Sequence, residues 1–563
     1  MNEKLQIVFG LLGGLAVFIY GMNLMSECLQ KAAGEKMKSI LALLTRNPIM
    51  GVLAGALTTA VLQSSSATTV MAIGFVSAGL MSLPQAISII LGANIGTTMT
   101  AQIIAFKISD YIYIIIFMGF IVSFLSKSEK VKNIGQTIFA FGLLFLGIET
   151  MGGVMKPLAS SPVFTDMIAK VADIPVLGVA VGTLMTLVVQ SSSATIAVLQ
   201  NFASQAGPDG VTSILGLAGA IPILLGDNIG TTITALLASV GQSKDAKRTA
   251  VAHCVFNISG CLLFIWFVKP YAALIQYLSP KGPEVDVISR QIANAHTLFN
   301  LTMTVIWVGL IGLMVKIVTK LVPNGKKEIV ELSTPLYLDD KMISQPAAAL
   351  QLVAKEVVHL SDLVKEQIQG ILEIVKSEDT KQIDTMKEKG VQISELYDRI
   401  TEYLAGLFSS GSLTEQQASQ TASLMYILSD VDRMGNLSVE LADCIREKVT
   451  NKYKYSQDAM DDLAKSLKAI SKMFDSAMDA LQNGAPDQAD KILKRKDKIL
   501  DLDIKMRKDH VQRVSKGQCK ASLTAPFTRI LHSIDRMGNS CINLADVAIN
   551  DVSFNYFLTV EEK

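Results

Sequence analysis

The 563-residue sequence predicts an all-α protein in two parts, a polytopic membrane half built from an internal repeat and a soluble helical half. Three observations predict it. Half of the residues are hydrophobic and the mean hydropathy is +0.40, yet charge is concentrated toward the C-terminus, beyond about residue 322. A sixty-residue stretch, Asn47 to Phe106, holds no Asp, Glu, Lys or Arg. Finally, two polar words recur in the same order inside apolar sequence. Gln63-Ser64-Ser65-Ser66-Ala67-Thr68 returns as Gln190-Ser191-Ser192-Ser193-Ala194-Thr195, and Gly92-Ala93-Asn94-Ile95-Gly96-Thr97-Thr98 returns as Gly226-Asp227-Asn228-Ile229-Gly230-Thr231-Thr232.

Taken in order, seven segments are long enough to cross a hydrocarbon core of about 30 Å: 5–27, 84–106, 111–126, 134–152, 213–240, 246–268 and 293–321. The first has no small-residue cleavage site and reads as a retained helix rather than a signal peptide. The stretches 48–82 and 175–206 instead carry apolar arms on either side of Gln-Ser-Ser-Ser. They suit re-entrant hairpins, whose irregular tips are tolerated at membrane depth only inside protein or a wet cavity. Fourteen Lys and Arg on one set of loops against seven on the other favour an outside N-terminus and a cytoplasmic C-terminus. Repeat one (about 5–126) and repeat two (about 134–268) then each contain three crossings, an odd number, so the second is inverted relative to the first. The helix 293–321 stands outside both, and residues 1–322 form one transmembrane domain.

Three hydroxyls at a helix break, with the backbone N–H groups that the break frees, bind anions; hydroxyls, carbonyls and amide oxygens bind sodium. Gly92, Gly96, Gly226 and Gly230 are expected to let the following helices unwind and expose such groups. No Lys or Arg lies in the candidate core, so co-bound cations are the means of neutralising an oxyanion there. Close helix packing would explain one serine, but not Gln and three serines twice at equivalent positions. Ala93 in one copy corresponds to Asp227 in the other, which either adjoins a cation or caps a half-helix. Glu149 reads as an interfacial carboxylate. A smaller repeat, Ala252-His253-Cys254-Val255-Phe256-Asn257 and Ala295-His296-Thr297-Leu298-Phe299-Asn300, places His and Asn on one helix face, for packing or for proton or substrate contact.

At these residues the chain resembles the type II sodium/phosphate cotransporter family, whose hallmark is a duplicated QSSS motif. The resemblance implies that Gln63, Ser64, Ser65 and Ser66 with Gln190, Ser191, Ser192 and Ser193 form the phosphate and sodium site, with inorganic phosphate as substrate and Na+ as coupling ion. Thr68 and Thr195 complete the same words. Asn94, Thr97, Thr98, Asp227, Asn228, Thr231 and Thr232 extend that site through the second word.

After a linker (323–344), amphipathic charged sequence runs through 345–553 to a short tail (554–563), broken near Ser377, Ser412, Tyr453, Gly484 and Gly517 into six helices. Ser412-Leu413-Thr414-Glu415 reads as a capping box opening the third helix, and Gly484 and Gly517 suit helix ends. Leu428-Ser429-Asp430-Val431-Asp432-Arg433-Met434-Gly435-Asn436 reappears as Leu531-His532-Ser533-Ile534-Asp535-Arg536-Met537-Gly538-Asn539, so the six divide into two sets of three. This half resembles PhoU, a regulator of bacterial phosphate uptake built as tandem three-helix bundles. PhoU proteins hold metal clusters through acidic pairs; the corresponding pairs here are Asp432 with Asn436 and Asp535 with Asn539, each with one carboxylate replaced by an amide. A weak divalent site and a solvated polar face are both compatible with that pattern.

The six cysteines form no CxxC pair, which suits reduced thiols in a cytoplasmic domain. Net charge of +1 gives no reason to expect nucleic acid. No P-loop, zinc motif or nucleophile–base constellation supports an enzyme or a cofactor. The expectation is a sodium/phosphate symporter of a bacterial inner membrane, regulated by its PhoU-like domain, with the lipid bilayer, phosphate and sodium as partners and a homodimer compatible with its apolar scaffold. The alternatives are a phosphate exporter and a phosphate-sensing membrane protein without net transport.

Overall fold

The computed structural model describes residues 3–33, 47–106, 108–159, 170, 173–207, 209–324, 332–411, 413–483, 487–549 and 554. It divides into two units, Met1–Lys326 and Lys327–Lys563. Both are built from α-helices and short helical turns among the described residues.

In the first unit α1 (Glu3–Ala33) is followed by α2 (Pro48–Leu62), α3 (Ser65–Ser77), α4 (Leu83–Ile104), α5 (Ile112–Leu125) and α6 (Glu129–Ala159). Then come α7 (Pro175–Val189), α8 (Ser192–Ala203), α9 (Gly216–Ala238), α10 (Lys244–Phe264), α11 (Val268–Leu278), α12 (Glu284–Gly309) and α13 (Ile311–Leu321). Local chemistry sets the starts. Pro48 and Pro175 occupy first turns, where a missing N–H costs nothing. The Asn47 side chain accepts from Met50 N at 2.9 Å, and that of Gln85 accepts from Ser82 N at 2.8 Å.

Among the described residues five helical segments are long and apolar enough to cross a membrane, and α12 with α13, bent by 85° at the break between them, gives a sixth candidate if the pair is one span. The expected seven crossings are therefore corrected to at most six among the described residues. The segment 111–126 forms only the 14-residue α5, about 21 Å long at 1.5 Å per residue, short of the hydrocarbon thickness. The segment 293–321 is not one straight span, because the chain turns at Leu310. Most of the apolar window of α4 (78%) and α9 (72%) is buried, against 22% for α1, so the two helices bearing the second polar word are central rather than lipid-facing.

Those two helices also differ from expectation in being continuous: α4 and α9 run unbroken through Gly92, Gly96, Gly226 and Gly230. The glycines admit a neighbouring backbone instead of unwinding their own. A Cβ on Gly92 would lie 1.9 Å from the Val52 carbonyl oxygen on α2, and one on Gly226 would lie 2.1 Å from that of Val179 on α7. Gly96 and Gly230 face Ala56 and Thr183 in the same way. Each first hairpin arm is thus seated on the central helix of its own copy. The second arms cross over: Ser66 on α3 meets Thr234 on α9 at 3.0 Å, while the Gln200 amide on α8 donates to the Ala101 carbonyl on α4 at 3.1 Å.

The outer surface of this unit is apolar, including Phe124, Val188 and Trp266, the last 80% exposed. Trp307 is buried on α12, its Nε1–H donating to Ser259 on α10 at 3.1 Å. The start of α10 is fixed by Arg248, which donates to the Val322 carbonyl at 2.9 Å and to Asn324 at 2.6 Å.

The second unit holds six long helices: α14 (Pro346–Ser377), α15 (Thr380–Ser409), α16 (Glu415–Thr450), α17 (Gln457–Asn483), α18 (Asp487–Ser515) and α19 (Thr524–Ile549). The capping box of α16 is Thr414 with Gln417, two residues beyond the expected Ser412 and Glu415; Ser412 lies outside the described residues. Gly484 lies outside them too. Gly517, at φ +67°, ends α18: its N–H reaches the Val514 carbonyl and that of Gln518 reaches Arg513, a Schellman closure that needs a left-handed residue.

The two repeated words of this unit face each other. Asn543 donates to Asp430 at 3.2 Å and Ser533 donates to Glu440 at 3.2 Å. Residues 430 and 533 hold equivalent places in the repeat, as do 440 and 543, so α16 and α19 pack antiparallel about a local two-fold. Ion pairs of Arg529 with Glu447 and Arg536 with Glu440 extend the seam.

Candidate transport site

Both copies of Gln-Ser-Ser-Ser break the helix in the same way. Gln63 (φ 51°, ψ 23°) and Gln190 (φ 54°, ψ 26°) end the first arm in the left-handed region, and Ser64 and Ser191 are extended. The Ser64 hydroxyl accepts from Ala67 N at 3.2 Å and that of Ser191 from Ala194 N at 3.3 Å, capping the second arm. A non-glycine residue in this region costs about 1 kcal/mol or more. Its recurrence at the same position therefore reports a break specified by the surrounding structure.

The arms fold back on one another. Thr59 Oγ1 donates to Thr68 Oγ1 at 2.8 Å, and Thr186 lies 3.0 Å from Thr195. Nine residues apart in a straight helix, such side chains would stand about 13 Å apart along the axis. Sequence reasoning overlooked Thr59 and Thr186, although each stands four residues before its glutamine, so the repeat extended far enough upstream to reveal them.

At each tip the first turn of the second arm offers N–H groups at the positive end of a helix. Ser65 is 5% exposed, Ser192 9% and Ser193 6%, and none of their hydroxyls carries a hydrogen bond within the described residues. Ser66 is joined to Thr234. The glutamines diverge: Gln63 is buried, donates to the Ala60 carbonyl and accepts from Thr100 at 3.0 Å, whereas Gln190 is exposed.

The second polar words lie on the buried faces of α4 and α9. Asn94, Thr97, Thr98, Asn228, Thr231 and Thr232 are all buried. The threonines donate to their own helix: Thr97 to Ala93 and Thr231 to Asp227, Thr98 to Ile95 and Thr232 to Ile229. Asp227 breaks the likeness. It is wholly buried, its Oδ1 accepts from Thr186 at 2.6 Å, and its Oδ2 has no partner. One hydroxyl proton serves one acceptor, so Thr195 donates to Thr186 and Thr186 to Asp227, reversing the direction seen between Thr59 and Thr68. Glu149 is exposed and stands outside this set.

In the second unit Asp432 Oδ2 accepts from Asn436 at 2.9 Å, and burial, then the neighbouring Asp398 carboxylate, push Asp432 up to about 6. In the other bundle Asn539 donates to Asp535 at 3.5 Å, while Lys496 donates to the Asn539 amide oxygen. An ammonium thus stands against the second pair. Among the described residues no three His, Cys, Asp or Glu are grouped so as to hold a metal ion.

Residues 17–153 and 155–279 match a family described as Na+/Pi-cotransporter, and residues 357–445 and 463–548 match the PhoU domain. An uncharacterized protein, YqeW, of Bacillus subtilis is 33% identical over 306 residues, which are 54% of this chain and 95% of that protein. A Salmonella typhimurium protein named "Putative inorganic phosphate export protein YjbB" is 22% identical over 506 residues, 90% of either chain. The sodium-dependent phosphate transport protein 2A of Rattus norvegicus is 38% identical over 108 residues, 19% of this chain and 17% of its own. No solved structure matches the chain significantly.

Proposed function

The chain belongs to the Na+/Pi-cotransporter family and carries tandem PhoU domains, and from that premise we propose that it moves inorganic phosphate across a bacterial inner membrane, coupled to sodium, around the two Gln-Ser-Ser-Ser breaks. The observation that carries this reading is the pair of like-built helix starts, at Ser65 and Ser192, with unused hydroxyls on buried serines. N–H and O–H donors suit phosphate oxygens. The threonine hydroxyls, the Asn94 and Asn228 amide oxygens and the buried Asp227 carboxylate suit sodium. In this reading the PhoU domains are cytoplasmic, the side to which the excess of Lys and Arg in the loops assigns the C-terminus.

Export is the direction with the better support, because relatives aligning over nine-tenths of the chain bear it in their names. Coupling remains compatible with export. With two sodium ions per divalent phosphate, the electroneutral case, an inward sodium ratio of about tenfold opposes outflow by about 2.7 kcal/mol. Net efflux then needs an outward phosphate ratio above about a hundredfold, which makes the protein an overflow valve.

The test is radiolabelled phosphate flux, in both directions, in proteoliposomes under sodium, potassium or proton gradients. Sodium-dependent flux is expected, falling on the order of tenfold or more in Ser65→Ala and Ser192→Ala through loss of a hydrogen bond to a charged ligand. Unchanged flux in both variants would remove the breaks from the site, and phosphate binding without flux under any gradient would make the protein a receptor.

A further inference from the structure

The repeated words Ala252 to Asn257 and Ala295 to Asn300 have no part in the site described so far, although their residues lie against it. His253 on α10 is fully buried with Nε2 3.4 Å from Asn94 Oδ1 on α4; His296 on α12 is 1% exposed with Nε2 3.2 Å from Asn228 Oδ1 on α9. Each word thus closes on the central helix of a different copy. The alanines and phenylalanines of each word are packing. Ala252, Ala295, Phe256 and Phe299 are buried, and the Phe299 ring fills the space that Gly260 leaves open between α12 and α10. The histidines therefore arrive at two equivalent asparagines from two helices already locked together.

The surrounding bonds fix the chemistry of the contact at Asn94, whereas Asn228 Nδ2 has no partner among the described residues and only the contact with His296 orients its amide. Asn94 Nδ2 donates to the Ile90 carbonyl at 2.8 Å, which turns its oxygen toward the imidazole. An amide oxygen accepts only, so His253 must carry its proton on Nε2, and its Nδ1 is a bare acceptor. His253 Nδ1 and His296 Nδ1 both lack a partner. Asn257 and Asn300 donate to the carbonyls of His253 and His296, at 3.2 and 3.0 Å, tying each histidine's own turn to the residue four places on. A carbonyl-type oxygen has two lone pairs, and the imidazole occupies one.

We infer that His253 and His296 are positioning residues for the coupling cation, each holding through Nε2–H the amide oxygen of Asn94 or Asn228 with a lone pair left for sodium. This rests on the sodium-coupled reading of the site. It also makes α10 and α12 equivalent partners of the two central helices, although α10 ends the second copy in sequence and α12 follows it. Loss of the N–H frees the amide to turn its NH2 toward the cation, whereas filling the same volume without a donor leaves packing intact.

The test is 22Na+ binding to the full-length protein in detergent, alongside sodium-dependent phosphate flux in proteoliposomes. His253→Gln and His296→Gln keep an N–H donor near the Nε2 position; His253→Leu and His296→Leu keep bulk and remove it. The leucine variants are expected to need roughly tenfold or more sodium for half-saturation, as for lost outer partners of metal ligands. The glutamine variants should stay within about threefold of the parent, with phosphate half-saturation at saturating sodium nearly unchanged in all four. If a leucine variant fails to fold, His→Asn, whose shorter amide cannot reach the same oxygen, replaces it in the comparison with Gln. Equal sodium affinity in parent, Leu and Gln proteins would reduce the histidines to packing, and equal losses in Leu and Gln would exclude the N–H as the cause. A parent protein that binds no sodium would overturn the coupled reading itself and this inference with it.

Discussion

The two glutamines at the helix breaks share a strained backbone and differ in what their side chains do. Gln63 donates to Ala60 and accepts from Thr100, whereas Gln190 is exposed. Glycine relieves a left-handed conformation but deletes side-chain bonds. Gln190→Gly is therefore expected to leave thermal stability unchanged or raise it by up to about 1 kcal/mol, and Gln63→Gly to lower it by about 1–2 kcal/mol. Thermal unfolding followed by size-exclusion of heated samples separates the two. Equal shifts would mean that the side chain of Gln63 adds nothing to the break.

Asp432 offers a second residue-level test, and its sign is opposite to that of most carboxylates. Its folded value, raised to about 6, exceeds the ordinary value near 4, so the folded state holds the proton more tightly than the unfolded one. Its contribution favours the folded state below about pH 4 and is lost as pH rises through about 6. Asp432→Asn is expected to slow amide exchange in α16 at pH 7.5, by roughly 1 kcal/mol or less after allowance for partial exposure, and to change little at about pH 3.5, below both values. Slower exchange at both pH values would point to a cause other than the charge.

At the scale of the element, the contacts of α2 with α4 and of α7 with α9 rest on glycine facing carbonyl oxygen. Gly92→Ala and Gly226→Ala place a methyl about 2 Å from backbone that cannot rotate away. Each is expected to destabilise the membrane unit by about 1–3 kcal/mol, the usual cost of overpacking. Monodisperse yield and melting temperature in detergent are the readouts, with the small surface change Gly153→Ala, where a Cβ meets nothing within 4 Å, as the control.

These glycines also show where the sequence was legible and where it was not. The repeated words identified the breaks and the buried stretches, because polar residues recurring inside apolar sequence leave few alternatives. They misled about Gly92 and Gly226, since permissive backbone and close approach demand the same residue and only the partner helix distinguishes them. The count of crossings failed for a similar reason: composition cannot see that α5 stops after 14 residues or that the chain turns at Leu310. The histidines were visible as a motif, but a long-range hydrogen bond to Asn94 or Asn228 leaves no trace in local spacing.

For the whole molecule, the chain divides into two compact units at Lys326, and the proposed function assigns transport to the first and its control to the second. YqeW, of which the matched 306 residues are 95%, is about as long as the membrane unit alone. Deleting residues 327–563 is therefore expected to leave sodium-dependent phosphate flux in proteoliposomes while altering its response to internal phosphate. A truncated protein that is monodisperse yet binds no phosphate would place part of the site in the PhoU domains.

The chain has two tryptophans, and both stand in the membrane unit. Trp266 is 80% exposed on an apolar surface, while Trp307 is buried with its indole N–H on Ser259, at the seam between the two histidine-bearing helices. Ultraviolet emission from the unlabelled protein therefore carries no tryptophan signal from the PhoU domains. Brominated lipids quench the outer chromophore by contact and spare the inner one, leaving a single native lamp at the junction of α10 and α12, by which any change at that contact can be read without adding a dye.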